Sequence, residues 1–158
     1  MQRRHFIKHA GLAGIIASGT APALAQTPGE VRWRCASSFP KSLDTIFGGA
    51  EVVAKRVAQI TNNRFRIQVF AAGEIVPGLQ ALDATSTGTV ECCHTVAYYY
   101  VGKDPTFGFG ACMPFGLNTR QQFSWMYHGG GLALMRDFYK DYGVISFPTG
   151  NTGAQMGG

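Results

Sequence analysis

The chain has 158 residues, 46% of them hydrophobic and 12% aromatic, which is enough to bury a core and too apolar for a globally disordered chain. Its formal charge is +5, yet Arg3, Arg4 and Lys8 all lie in the acid-free leader, and the remainder carries only a small surplus. No run of Lys and Arg interleaved with aromatics follows, so composition offers no nucleic-acid surface.

The first segment, residues 1–26, has the layout of an export signal. "MQRRHFIKHA" is its positive region, "GLAGIIASGTA" a mild apolar region, and Ala23 to Ala25 ("ALA") a small-residue cleavage site before Gln26. The apolar region is too short and too rich in Gly and Ser to span a bilayer. "RRHFIK" is similar to the twin-arginine signal, which implies export of an already folded protein to the periplasm. The remaining residues, 27–158, amount to one domain or a large part of one, incomplete at its C-terminus.

"VRWRCASS" alternates Val31, Trp33 and Cys35 against Arg32 and Arg34 and predicts a strand. "FPKSLD" is a loop with Asp44 as N-cap. Ile46, Ala50, Val53, Val57 and Ile60 are spaced as one face of a helix, which "TNN" ends. "RFRIQVF" alternates as a second strand. "AAGEIVPG" is a loop, and Pro77 suits the first turn of a short helix through Leu79 and Leu82. That helix stops at Gly88, and "TVECCHTV" is a third strand.

The stretch from Tyr98 to Asn118 is aromatic and rich in Gly and Pro, and predicts long irregular turns. Asn118 with Gln121 forms a capping box for a helix on which Phe123, Met126 and Tyr127 share a side. Gly129 to Gly131 break that helix. A further one, "LALMRDFYKDY", ends at Gly143, and "VISFP" reads as a fourth strand. Strands alternating with helices indicate an α/β domain with a largely parallel sheet. Ligands then bind beyond the carboxyl ends of strands, near Ser37 to Pro40, His94 to Tyr100, and Thr149 onward.

The four cysteines, Cys35, Cys92, Cys93 and Cys112, lack zinc spacing and read as buried free thiols. Cys92 and Cys93 should point to opposite faces of their strand. A Cys35–Cys112 bridge is an open alternative. No nucleophile elbow, zinc-protease, dinucleotide or phosphate-loop motif occurs. His94 follows a strand, where it serves either as a base or as a hydrogen-bonded structural residue; His128 is similar. Three consecutive tyrosines, Tyr98 to Tyr100, cannot all face the core, so at least one is part exposed with a hydroxyl suited to a small polar ligand, while core packing is the alternative for each of them. "GNTGAQMGG", Gly150 to Gly158, carries the amides of Asn151 and Gln155 among glycines. Amide oxygens can take a cation or a carboxylate partner, although such a stretch is equally an ordinary loop.

"HTVAYYYVGKDPTFGFG", "MPFGLNTRQQFSWMYHGGGLALMRDFYKDYGV" and "FPTGNTGAQMGG" closely resemble the solute-binding proteins of tripartite ATP-independent periplasmic (TRAP) transporters, in the branch associated with 2-oxo acids and related monocarboxylates. The resemblance runs from Gln26 to Gly158. It implies a two-lobed α/β periplasmic solute-binding-protein fold, of which this chain supplies the first lobe and part of the second. It also implies a small ligand such as pyruvate, a sodium or calcium ion bridging ligand and protein, delivery to membrane permease subunits, and a homodimer formed through a long C-terminal helix. No catalytic cofactor is implied. Carried over by motif, Gln155 is the cation ligand, Asn151 or Thr152 contacts substrate, and Tyr98 or Tyr99 lines the pocket. Family chains are about twice as long, continuing into a Trp- and Arg-containing segment whose arginine clamps the carboxylate. The expectation is therefore that these 158 residues alone bind weakly or not at all. A periplasmic enzyme using His94 on a keto acid, or a remnant that binds nothing, are the alternatives.

Overall fold

A computed structural model describes residues 29–111 and 113–153. The leader, the 26/27 boundary, Cys112 and Gln155 lie outside those residues. Strand β1 (Val31–Ser37) is central in a three-stranded parallel sheet of order β2-β1-β3, with β2 at Phe65–Phe70 and β3 at Cys92–His94. Val31 pairs with Phe65 and Ala36 with Phe70 on one side; Cys35 pairs with Cys92 and Ser37 with His94 on the other. The predicted α/β class and parallel sheet are therefore present. "TVECCHTV" forms a ladder over only three of its residues.

Helix α1 (Asp44–Ile60) connects β1 to β2. Its N-cap is Leu43, without a side-chain cap bond, so Asp44 is the first helical residue and not the cap. Its Oδ1 instead accepts from the adjacent Thr45 amide at 2.7 Å, and its charge sits favourably at the positive helix end. The buried stripe is also rotated from the expected one. Phe47 and Ala50 are buried, whereas Val53 and Ile60 are exposed. "TNN" ends the helix for a visible reason: Asn62 and Asn63 take left-handed φ values of 52° and 59°, which asparagine tolerates better than most residues.

Helix α2 (Ala81–Ser86) follows a 3-10 turn at Gly78–Gln80, for which Pro77 is the N-cap, and Gly88 turns the chain at φ 74°. Ala81 and Ala84 pack with Ala36 and Val90, and Cys93 lies against them. Cys92 therefore faces the other way, beside Cys35, as strand alternation requires.

The Gly- and Pro-rich middle forms two 3-10 helices, Ala97–Tyr100 and Pro105–Gly110. Phe107 is wholly buried with Leu82 and Tyr100, and Phe138, Tyr139, Tyr142 and Val144 close over them. Helix α3 (Thr119–His128) begins with the predicted capping box: the Asn118 side chain accepts from the Gln121 amide at 3.0 Å, and the Gln121 side chain from the Asn118 amide at 2.9 Å. Phe123 and Tyr127 do share a side, stacked 5.8 Å apart, but that side faces solvent.

Gly129 caps α3, Gly130 turns at φ 82°, and Gly131 opens α4 (Gly131–Tyr139). A 3-10 turn then ends at Gly143 with φ 67°. "VISFP" is not a strand. A strand needs a ladder partner, and among the described residues none pairs with it. Arg136 fastens it instead, donating from Nε to the Ser146 carbonyl at 3.0 Å with its guanidinium 4.9 Å from the Phe147 ring centre. Among the described residues, no helix is long and apolar enough to cross a membrane.

Candidate functional site

Strand order fixes where a ligand can sit. The chain leaves β1 for β2 on one side and returns as β3 on the other, so the connections that follow β1 and β3 run to opposite sides of the sheet, the switch point at whose crevice α/β sheets bind ligands. The residues released there are Ser37 to Pro40 after β1 and His94 to Tyr100 after β3, as the sequence indicated. Thr149 onward follows the Arg136-anchored segment and not a strand.

The rim of this crevice is held by polar groups. Ser38 Oγ lies 2.6 Å from the Gly78 carbonyl and 2.6 Å from Thr95 Oγ1. Thr95 Oγ1 lies 2.8 Å from the Tyr100 hydroxyl, which accepts from the Leu82 amide at 3.2 Å. A carbonyl can only accept, so the Ser38 proton goes to Gly78. Thr95 then donates to Ser38, and Tyr100 to Thr95. One directed chain thus joins three segments, the turn after β1, the Gly78–Leu82 stretch and the Thr95–Tyr100 stretch, with every partner satisfied, the condition under which a polar network stabilises. The approach is too close for a side chain at Gly78, where an added Cβ would lie 2.7 Å from the Ser38 carbonyl oxygen. Ser38 and Thr95 were not singled out from sequence; small hydroxyl residues straight after two parallel strands were the available signal.

The three tyrosines divide by role. Tyr100 is 2% exposed and committed to this chain and to Phe107. Tyr98 and Tyr99 are half-buried, edge to face at 4.9 Å, and Tyr99 lies 6.1 Å from the Phe39 ring across the crevice. Burial pushes the Tyr99 hydroxyl pKa up, and its tyrosine neighbours add to the effect, so it is a neutral hydrogen-bonding group. His94 Nδ1 is 3.2 Å from Ser37 Oγ, and its ring lies against Phe39. Burial lowers its pKa. It is thus a neutral, hydrogen-bonded residue of the rim, the structural role weighed above. His128 sits at the far end of α3 and takes no part.

Asn151 and Thr152 are exposed in the coil after Pro148. The Asn151 side-chain oxygen accepts from the Gly153 amide at 2.7 Å, and Gly153 turns at φ 83°. This is a formed Asx turn. Val144, seven residues before Asn151, packs against the same buried cluster as Tyr99. Among the described residues no hydrogen bond joins Asn151 or Thr152 to Tyr98 or Tyr99. None offers three or more His, Cys, Asp or Glu groups to a metal either. The oxygen donors in this turn are of the kind sodium and calcium accept, but they do not complete a cation shell.

A cleft of about 420 Å³ between Phe109, Met113, Gly116, Leu117, Gln122 and Trp125 contains none of these residues. Its walls are apolar apart from Gln122, a poor match to a small carboxylate.

The fold and crevice define one lobe of an α/β binding protein. The match of residues 36–158 to bacterial extracellular solute-binding protein, family 7, makes the assignment specific: the chain belongs to that family, whose relatives are solute-binding proteins and not enzymes. It is 61% identical over 129 residues to a monocarboxylate 2-oxoacid-binding periplasmic protein of Nostoc sp., covering 82% of this chain and 35% of that protein. A TRAP transporter solute-binding protein of Bordetella bronchiseptica, crystallised as a mixed-occupancy dimer with calcium and picolinate, is 47% identical with a TM-score of 0.79; the match covers 82% of this chain and 38% of the other. A TRAP periplasmic solute-binding protein of Pseudoalteromonas atlantica with bound sodium and pyruvate is 36% identical with a TM-score of 0.76, covering 81% and 39%. The chain thus spans a little over a third of the length of these relatives.

Proposed function

We propose that this chain is the ligand-capturing part of a TRAP transporter's solute-binding component, with a small 2-oxo or hydroxy monocarboxylate as ligand and a membrane permease as recipient. Tyr98 and Tyr99 line the substrate crevice, Asn151 and Thr152 contact the ligand, and Gln155 contributes an oxygen to a bridging sodium or calcium ion. The twin-arginine leader carries the protein to the periplasm, and dimerisation belongs to the whole protein. The observation that carries this reading is the split among the tyrosines: Tyr100 is consumed by the core, leaving Tyr98 and Tyr99 half-buried at the β1/β3 switch point.

The test is a chimera in which residues 36–158 replace the matching segment of the Bordetella bronchiseptica relative. Calorimetry should then show calcium-dependent binding of pyruvate or picolinate. Tyr99→Phe, Asn151→Ala and Gln155→Ala should each weaken it by at least about tenfold, the worth of one charge-assisted hydrogen bond. A folded chimera whose binding is indifferent to all three would refute the site assignment.

A further inference from the structure

Cys35 and Cys92 stand opposite each other on adjacent parallel strands, and the Cys92 thiol leans toward β1, donating to the Arg34 carbonyl at 3.7 Å. Both are free. Neighbouring strands are spaced about 4.8 Å apart, inside the roughly 4.4–6.8 Å Cα separation that a disulfide spans. The register is pinned on both sides of the pair. Immediately before it, Arg34 grips both carboxylate oxygens of Glu91, at 2.7 Å and 3.1 Å, and the Arg34 amide donates to the same carboxylate at 2.7 Å. At the end of the ladder, past Ala36 and Ser37, the Ser38 amide donates to the His94 carbonyl at 2.8 Å. Cys93 points away into the α2 cluster.

We propose that Cys35 and Cys92 are a redox pair that closes to a cross-strand disulfide by exchange with a small-molecule or protein disulfide. Cys92 is the half-exposed member and Cys35 the buried one. The Cys35 thiol beside it lowers the Cys92 pKa, while the same contact, with burial, raises that of Cys35. Cys92, the member that solvent and an incoming disulfide can reach, attacks first, as thiolate. Its sulfur bonds to one sulfur of the incoming disulfide and expels the other as a thiol. Cys35 then gives up its proton and attacks the Cys92 sulfur, expelling the second thiol. Two protein thiols are oxidised, one disulfide is reduced to two thiols, and no further oxidant is needed. Burial and its thiol neighbour raise the Cys93 pKa, so it does not compete. The bond would lock β1 to β3 two residues before the Ser37–His94 contact at the crevice.

The purified 158-residue chain is incubated with oxidised glutathione, and alkylation of the remaining thiols is followed by intact mass and peptide mapping. The expected result is loss of two hydrogens, two alkylatable thiols remaining of four, and one crosslinked peptide joining Cys35 to Cys92. It should persist in Cys93→Ser, vanish in Cys92→Ser, and be lost when oxidation is run in strong denaturant. Four alkylatable thiols, a stable glutathione adduct at Cys92, or a crosslink from Cys35 to Cys93 or Cys112 in the wild-type chain would each overturn the proposal.

Discussion

Tyr100→Phe isolates the hydroxyl that joins the rim of the crevice to its core. The ring stays, so the aromatic packing on Phe107 is kept and no cavity term arises. What goes is the acceptor for the Leu82 amide at 3.2 Å and the partner of Thr95 Oγ1 at 2.8 Å. Thr95 keeps Ser38, so its loss is the net worth of one neutral bond, about 1 kcal/mol. The Leu82 amide has no such substitute; left unpaired in a residue only 3% exposed, it adds about 1–2 kcal/mol of uncompensated desolvation. The expected total is about 2–3 kcal/mol. At a urea slope of about 1–3 kcal/mol/M, the unfolding midpoint should fall by about 1 M with the slope unchanged. Tyr98→Phe, whose hydroxyl belongs to no core network, should shift it by less than about 0.5 kcal/mol. Urea titrations followed by circular dichroism measure both. Equal costs at the two positions, or a Tyr100→Phe loss below about 0.5 kcal/mol, would refute the division of the tyrosines into anchor and display residues.

Gly131→Ala places a Cβ within 2.5 Å of the Trp125 ring, and should cost about 1–3 kcal/mol through displaced packing, visible in the same titration with a red shift of tryptophan emission. Glu91, held by Arg34, has its pKa lowered from 4.5 to about 2. A carboxylate depressed in the folded state stabilises fully above its unfolded pKa and loses that contribution as pH falls towards the folded one. Wild type and Glu91→Gln should therefore differ in thermal midpoint above about pH 4.5 and converge towards pH 2; a difference constant across that window would rule out the ion pair as its source.

Local signals were legible where one residue type is nearly forced. Asn118 with Gln121, the glycines at 129 to 131, Gly88 and Gly143 all lie where a cap or a positive φ was expected, because those conformations exclude most alternatives. β1, β2 and the parallel class followed from alternation interrupted by a helical period. The failures share a different cause. "VISFP" has a strand's composition, but a strand is a pairing, and pairing is non-local. The buried face of α1 was misjudged because periodicity reports a stripe without saying which edge meets the sheet, and Ala50 and Phe47 decided that. At the site, adjacency to Phe39 and burial separate Tyr99 from Tyr100, and neither is encoded in three identical letters. Ser38 and Thr95 escaped because a serine or threonine after a strand is common, and only the closure of their chain on Tyr100 and Gly78 gives them a role.

That closed chain has a consequence for recognition. A 3-10 helix turns about 120° per residue, so once Tyr100 is bolted to Leu82 and Thr95, backbone geometry sets the Cα–Cβ directions of Tyr98 and Tyr99. The edge-to-face contact of the two rings and the nearness of Phe39 to Tyr99 then hold them in place. Substitutions at these two positions can then retune what the crevice accepts while the scaffold stays the same, and a ligand arriving there meets rings whose orientation it does not have to organise.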